Sequence, residues 1–356
     1  MPLPLIPIIL GGASILAGVA GVGGALSGKE KMDKAKSRID DAKEEYERKK
    51  GEFDEIQEFS TEILSDLGKT KLEIREDFKR FCDVFERIHN RPEVRDIQGE
   101  RFKFTSVDLR NIRQSSISAG EAIGSIMGAI AAGTITAGAA WSAVGLLGAA
   151  STGTAIASLH GVAATNALLA WFGGGSLAAG GLGMAGGAAV LGGLFLGPLV
   201  FATGWFVDSK GDDALAKARE TENEVDSACE KMDTAITFFE IISDLACDLM
   251  SELERAKRFY DKKVSQLERL VNRCNDYNSF SNYEKILLDN NIMLVKILSD
   301  MTEADLLTKN NKGEPVMEIS AIRDEEIDCI IKESEDTLTK IAKHKFSDFL
   351  ISWLHL

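Results

Sequence analysis

The chain alternates between charged segments with a helical hydrophobic pattern and segments that carry almost no charge. Within residues 29–114, apolar positions recur at alternating spacings of three and four, which is the a/d pattern of a coiled coil. A break at Arg91 and Pro92 ends the predicted helix. The a/d positions of this first seam are Met32, Ala35, Ile39, Ala42, Tyr46, Lys49, Phe53, Ile56, Ser60, Ile63 and Leu67.

The same spacing returns in residues 208–277 and predicts a second helical arm. An apolar stripe of this length has to be covered, and helices that follow one another in sequence are usually neighbours in space. We therefore expect the two arms to pack against each other in antiparallel directions, although arms that each pair with another chain would show the same pattern. The second seam comprises Val225, Ala228, Met232, Ala235, Phe239, Ile242, Ala246, Leu249, Leu253, Ala256, Tyr260, Lys263, Leu267, Leu270 and Cys274.

The predicted fold class is all-α, an elongated antiparallel helical bundle or coiled coil that carries a Gly/Ala-rich hydrophobic hairpin. In the tail, residues 278–356, the sequence pattern predicts helices near residues 283–299 and 324–354 on either side of a turn-rich segment. Five segments follow from these patterns: an apolar N-terminal helix (1–28), a first arm with a basic connector (29–114), the hydrophobic hairpin (115–207), a second arm (208–277) and a C-terminal helical cap (278–356).

An uncharged segment interrupts the two arms: residues 122–207 contain no Asp, Glu, Lys or Arg over 86 consecutive positions, and they hold 20 of the 33 glycines. An ordinary soluble domain is charged at about a quarter of its positions. Glycine in a water-exposed helix costs about 1 kcal/mol relative to alanine, whereas in hydrocarbon an unpaired backbone amide costs several kcal/mol and favours helix. The segment is therefore predicted to be helical in a bilayer and sheltered or loosely structured in water.

Small residues at every fourth position accompany this apolar character. Such rows let helix backbones approach closely within a membrane. A permanent membrane anchor and an unusual soluble core are alternative interpretations. The predicted helix-packing residues are Ala13, Ala17 and Gly21 in the N-terminal segment, Gly120, Gly124 and Gly128 at the start of the hairpin, and Gly175, Ala179, Gly183 and Gly187 further on.

The net charge of −14 is unevenly distributed, since residues 208–356 alone contribute −12. Binding to a phosphate backbone needs a cationic face, so we expect no nucleic-acid partner. A basic group just before the uncharged segment is predicted to contact lipid headgroups and to stay on the cytoplasmic side of a membrane. Its members are Arg101, Lys103, Arg110 and Arg113.

The reactive residue types form no recognisable site. The five cysteines are scattered without a CxxC pair, which indicates reduced thiols and no metal site. We find no His/Cys/Asp constellation and no complete phosphate-binding loop, so we expect no cofactor and no enzymatic activity. The expected location is the cytoplasm, with membrane association or integral membrane residence.

The run STGTAIASLHGVAATNALLAWFGGGSLAAGGLGMAGGAAVLGG at residues 151–193, together with the start MPLPLIPIILGG, resembles a group of uncharacterised bacterial proteins with a Gly/Ala-rich hairpin between coiled-coil arms. The layout is also similar to apolipoprotein L and to helical pore-forming toxins of the cytolysin A type, without a shared motif. The second resemblance implies an apolar hairpin that is hidden in a helical bundle before it enters a membrane.

The sequence therefore predicts a protein that inserts into a lipid bilayer and, as a homo-oligomer, permeabilises or remodels it. The alternative is a scaffold or tether, in which the arms bind partner proteins and the hairpin serves as an anchor or fills a core.

Overall fold

The computed structural model describes residues 25–92, 94–97, 100–131, 211–308 and 318–354. Within those ranges the chain forms five α-helices and one β-hairpin, which confirms a predominantly helical fold for this part of the chain. The elements are α1 (Ala25–Glu86), β1 (Val94–Ile97), β2 (Glu100–Lys103), α2 (Ser106–Ala131), α3 (Gly211–Arg273), α4 (Asn282–Glu303) and α5 (Asp324–Leu354), with short 3₁₀ helices at Tyr277–Ser279 and Ile319–Ala321.

The described residues belong to two compact units. The first unit contains residues 25–47 of α1 and 211–228 of α3. One core cluster of this unit consists of fully buried alanines, and partly buried Ile39 and Leu215 pack against them. Tyr46 and Val225 are also buried in this unit. Arg38 and Glu222 form a half-exposed ion pair at 2.9 Å. The clustered alanines are Ala35, Ala214 and Ala218.

In the second unit, which contains residues 48–131 and the described residues from 229 onward, α1 and α3 run parallel. The predicted antiparallel pairing of the arms is therefore wrong. Residue numbers rise together along the two helices, and the backbone of His89 forms a parallel bridge with Asp276 just beyond them. The contacts that fix this order are Lys49 with Asp233, Asp77 with Tyr260, and Arg80 with Glu268.

The physical reason for this error lies in the chain between the arms. Antiparallel packing would follow if α3 were the next helix after a tight reversal of the chain. Instead the reversal is made by α2, which packs antiparallel to α1 through Arg113 near Asp83 and Ser116 near Glu76. The next described helix, α3, then has the same direction as α1.

Two polar positions of the first seam, Lys49 and Ser60, bind polar groups of α3. The ammonium of Lys49 lies 2.5 Å from Asp233, and this hydrogen bond raises the pKa of Lys49 above its usual value. Ser60 is fully buried, donates a hydrogen bond to the carbonyl of Phe239 at 3.2 Å and accepts one from the Ser243 hydroxyl at 2.8 Å. Such polar contacts inside a helix seam favour one register over its alternatives.

The buried stripe of α1 broadens towards its C-terminal end, where α2 and α4 also pack against it. Up to Phe53 about one position per turn is buried, whereas beyond Leu64 the buried positions come in pairs. A helix with several neighbours needs a wider apolar face. The buried positions of this part are Leu64, Ser65, Leu67, Gly68, Lys71, Leu72, Ile74, Arg75, Phe78, Phe81, Cys82, Val84, Phe85 and Ile88.

Two buried cations of α1 meet the C-terminal end of α4. The ammonium of Lys71 donates to the carbonyl of Ala304 at 2.8 Å, and the guanidinium of Arg75 lies 3.6 Å from Glu303. Burial lowers the pKa of Arg75, which the charge of Glu303 partly opposes. The last turn of α4 has no basic residue of its own, so α1 supplies the positive charges that the negative end of the helix dipole favours.

The predicted tail helices correspond to α4 and α5. A capping box starts α4: the Ser281 hydroxyl accepts from the backbone of Glu284, and the Glu284 carboxylate accepts from the backbone of Ser281 at 2.8 Å. The helix α5 is joined to α3 by a buried hydrogen bond of 2.7 Å from the Ser334 hydroxyl to the Glu252 carboxylate. The α5 helix of the tail therefore packs on the second arm.

The β-hairpin was not predicted. Its strands pair antiparallel, with Val94 opposite Lys103 and Ile97 opposite Glu100. Each strand is four residues long, which is too short for a reliable alternation of apolar and polar positions. The hairpin lies in the segment that the sequence analysis described as a basic connector.

Candidate membrane-facing surface

The helix α2 leads into the uncharged segment, and its first turn is fixed by local hydrogen bonds. The Thr105 hydroxyl accepts from the backbone of Val107 at 3.2 Å and of Asp108 at 3.3 Å. The Asp108 carboxylate accepts in return from the backbone and the hydroxyl of Thr105, both at 2.7 Å. An acidic residue in the first turn also suits the positive end of the helix dipole. The start of α2 is therefore defined by Thr105 and Asp108.

The N-terminal half of α2 is held on α1 by polar contacts. Arg113 lies 2.9 Å from Asp83 and 3.0 Å from Glu86. Partial burial lowers the pKa of Arg113, but the hydrogen bond to Asp83 and the charge of Glu86 outweigh this effect and raise it overall. The Ser116 hydroxyl donates to the carbonyl of Glu76 at 2.7 Å. Apolar side chains complete the contact face of α2: Leu109, Ala119, Ala122 and Ile126 are buried.

The C-terminal half of α2 has an exposed apolar face. Ile117 is 47% exposed and Met127 is 55% exposed. Gly124 and Gly128 are exposed on the same side, and a methyl group added at either would meet no atom within 4 Å. After Arg113, the one formally charged residue of α2 is Glu121. Glu121 and Ser125 are also exposed, so the outward face of this half combines apolar, small and polar residues, whereas its buried face is apolar.

The three glycines of the predicted row, Gly120, Gly124 and Gly128, differ in how close they lie to other residues. A methyl group added at Gly120 would lie 3.4 Å from the carboxylate of Glu76, which is an ordinary contact. The other two glycines have open space around them. The packing of α2 on α1 therefore does not require glycine at these positions, and the role of the row in contacts between membrane helices stays a prediction.

The four predicted headgroup residues have different surroundings. Arg110 is exposed, whereas Arg113 is paired with two carboxylates of α1. Arg101 and Lys103 lie on β2, where Arg101 is the direct cross-strand neighbour of Asp96. Arg113 thus serves to hold α2 on α1. The four residues do not form one equivalent cationic group.

A cleft of about 280 Å³ lies where the end of α1 meets the start of α2. The rings of Phe85 and Phe104 make an edge-on contact at 5.2 Å, and the guanidinium of Arg91 lies over the Phe85 ring at 4.6 Å. Asn90 takes a left-handed backbone conformation with φ 57°, which turns the chain out of α1. The sequence predicts a helix that continues up to Arg91, whereas α1 ends at Glu86. The cleft was not predicted, since its walls come from segments about 15 residues apart.

The remaining predicted packing residues lie outside the described residues. In the part of the chain that the structure describes, no helix combines the length and the hydropathy required to cross a bilayer. The described residues also contain no group of three or more His, Cys, Asp or Glu side chains that could hold a metal ion. The predicted residues outside the described ranges are Ala13, Ala17, Gly21, Gly175, Ala179, Gly183 and Gly187.

In comparisons with known proteins, no protein-family model, curated protein or solved structure matches the chain.

Proposed function

We propose that the protein inserts its uncharged segment, residues 122–207, into a lipid bilayer and that several copies assemble there to permeabilise or remodel the membrane. The observation that carries this proposal is the run of 86 positions without a formal charge in a chain that is otherwise rich in ions. In hydrocarbon each unpaired backbone amide costs several kcal/mol, which favours helix formation in a glycine-rich segment. In this proposal the charged arms, which we take to be elongated, stay outside the bilayer.

The structure of α2 supports this proposal at the entrance of the segment. The last ion pairs of α2 with α1 are those of Arg113. Beyond them Ile117, Gly124, Met127 and Gly128 are exposed, together with Ser125 and one charged residue, Glu121. The number of charged side chains therefore falls along α2 towards the uncharged segment.

Leakage of a dye from liposomes tests this proposal. The variant Gly124→Leu with Gly183→Leu places branched side chains in both predicted small-residue rows and is expected to reduce leakage at least several-fold, because the helices can no longer approach closely. Open space around Gly124 means that leucine there should not disturb the packing of α2 on α1. A melting curve verifies that the fold is retained.

The matched control is Gly51→Leu, because Gly51 is a helical glycine of α1 that also has open space around it. This variant is expected to leak dye like the unmodified chain. Unchanged leakage in the double variant would remove the role that we assign to the rows.

The second candidate function is a tether that binds partner proteins through its arms. Exposed aromatic side chains on the helices favour it: Phe59 of α1 is 55% exposed and Tyr283 of α4 is 51% exposed. Such residues are common in protein interfaces. Fractionation separates the two functions, because insertion predicts a protein that moves to membranes when lipid is added, whereas a tether predicts constant membrane residence.

A further inference from the structure

The first residues of α1 and of α3 form a helix pair within the first compact unit. Ala35 of α1 clusters with Ala214 and Ala218 of α3. Further along both helices, Arg38 pairs with Glu222 at 2.9 Å, so residue numbers rise together and the helices run parallel here as well. The start of α1 and the start of α3 therefore lie at the same end of the pair.

An uncharged run of the sequence joins each helix at this end. Residues 1–28 contain no Asp, Glu, Lys or Arg and lead into α1. The second run, residues 122–207, ends four positions before α3 begins at Gly211. Even a fully extended chain spans at most about 14 Å from Val207 to Gly211. A membrane that takes up the second run to its last residue therefore lies next to the start of both helices.

The charge of the helix pair changes sign along its length. We call residues 25–36 of α1 and 211–219 of α3 the leading end; it holds six basic and four acidic residues, a charge of +2. The rest of the pair, residues 37–47 and 220–228, holds two basic and nine acidic residues, a charge of −7. An anionic surface therefore attracts the leading end and repels the rest of the pair, within a screening distance of about 8 Å at physiological salt.

Three lysines of the leading end have no partner among the described residues and are exposed. At 1.5 Å per residue they all lie within about 12 Å of Gly28, the last position of the first uncharged run. Their acidic neighbours Glu30 and Asp33 are exposed too, but basic residues count for more than acids in the side of a membrane on which a segment stays. The three lysines are Lys29, Lys34 and Lys36.

We propose that the leading end is the face with which the protein docks on an anionic bilayer, with these three lysines against the lipid headgroups and the acidic rest of the pair directed away from the membrane. The partner is a lipid surface, because the positive charge lies where two uncharged runs join the pair. A nucleic acid would match the charge but would offer those runs no apolar surroundings. This inference rests on the proposed function and adds the face and the lipid class that it uses.

Acetylation of lysines in the unmodified chain tests the contact. The protein is mixed with vesicles of phosphatidylcholine and phosphatidylglycerol, treated briefly with N-hydroxysuccinimidyl acetate and analysed by mass spectrometry. We expect the vesicles to slow the reaction of the three lysines of the leading end at least threefold. Exposed lysines elsewhere in the chain are the matched controls and should react at unchanged rates. They are Lys79, Lys262 and Lys332.

Substitutions give a second readout. The leading-end variant carries Lys29→Gln, Lys34→Gln and Lys36→Gln, and the control variant carries Lys79→Gln, Lys262→Gln and Lys332→Gln. Lysine and glutamine have similar helix propensities, so both variants should fold like the unmodified chain. The leading-end variant should bind the mixed vesicles about a hundredfold more weakly, since each lysine near an anionic surface strengthens binding about fivefold. The control variant removes the same charge and should bind like the unmodified chain.

Unchanged acetylation of the three lysines in the presence of mixed vesicles overturns the inference. Equal weakening of binding by the two variants also overturns it, because the effect would then come from total charge. Protection that rises with protein concentration without vesicles would assign the face to a second copy of the chain and exclude the proposed lipid contact.

The proposed function has its own readout, the quenching of the tryptophans of the uncharged segment by brominated lipid in the variant Trp353→Phe. If these tryptophans are quenched while the lysines stay unprotected, insertion stands and the docking face is lost. If the lysines are protected without quenching, the docking face stands and insertion is lost. If neither occurs, both proposals fail.

Discussion

Polar residues inside the helix seams are paired with polar partners between α1 and α3. Ser60 and Ser243 are buried and hydrogen-bonded to each other between α1 and α3. From the sequence, Ser60 is only an imperfect position in an apolar pattern. Its role depends on a partner 183 positions away, and heptad spacing carries no information about such a pair.

Removing these hydroxyls should show that they act together. Ser60→Ala is expected to lower the free energy of unfolding by about 1–2 kcal/mol, because the buried Ser243 hydroxyl loses its acceptor. The double variant with Ser243→Ala should cost less than the sum of the single changes, since it leaves no unpaired hydroxyl. Urea denaturation of the three variants measures this. Strict additivity would show that the two hydroxyls do not interact.

The cysteines should differ in reactivity. Burial raises the pKa of Cys82 from its usual value of 9.0 to about 11, whereas Cys329 is exposed. The folded state holds the Cys82 proton more tightly than the unfolded state, so this contribution to stability is complete below about pH 9 and is lost as the pH rises towards 11.

At pH 8 we therefore expect iodoacetamide to modify Cys329 rapidly and Cys82 only when the protein unfolds. Mass spectrometry of the native protein and of the urea-unfolded protein gives the two rates. Equal native rates would contradict the buried position of Cys82.

At the scale of elements, the hydrophobic pattern predicts which segments are helices but not their directions. The a/d spacing of α1 and α3 is compatible with parallel and with antiparallel neighbours. The antiparallel arrangement was expected because helices that follow one another in sequence are usually neighbours in space. In the structure α2 is the helix that runs back along α1. The four-residue strands of the hairpin were missed for another reason, since an alternating pattern needs a longer run.

The parallel register can be tested through one ion pair between α1 and α3. Arg80 contacts Glu268 through two hydrogen bonds, which lower the pKa of Glu268 and raise that of Arg80. Exchange of the charges, Arg80→Glu with Glu268→Arg, should restore stability relative to either single change. The expected coupling energy is about 0.5 kcal/mol, because both side chains are partly exposed to solvent.

The coupling should be present at neutral pH and disappear as acid protonates Glu268, because a lowered pKa stabilises the folded state only while the carboxylate is ionised. Arg80→Glu with Glu254→Arg is the control, since Glu254 belongs to α3 but pairs with Arg258 instead. Zero coupling between positions 80 and 268 would contradict the parallel arrangement.

At the scale of the whole molecule, composition is the main guide to function. The chain combines charged helices with one uncharged segment of 86 positions, and its acidity is concentrated after residue 208. This contrast is visible in the sequence alone, because it depends on residue types and not on contacts. The structure shows how α2 joins the charged helices to the uncharged segment. Arg113 of α2 forms an ion pair with α1, and Met127, near the start of the uncharged segment, is exposed.

Depth-dependent fluorescence quenching in the variant Trp353→Phe tests the central claim most directly. The remaining tryptophans, Trp141, Trp171 and Trp205, all lie in the uncharged segment. If the segment enters the bilayer, vesicles should shift their emission to shorter wavelength, and bromine at the bilayer centre should quench it strongly. Emission that stays unshifted and unquenched, while the protein remains folded, would contradict insertion.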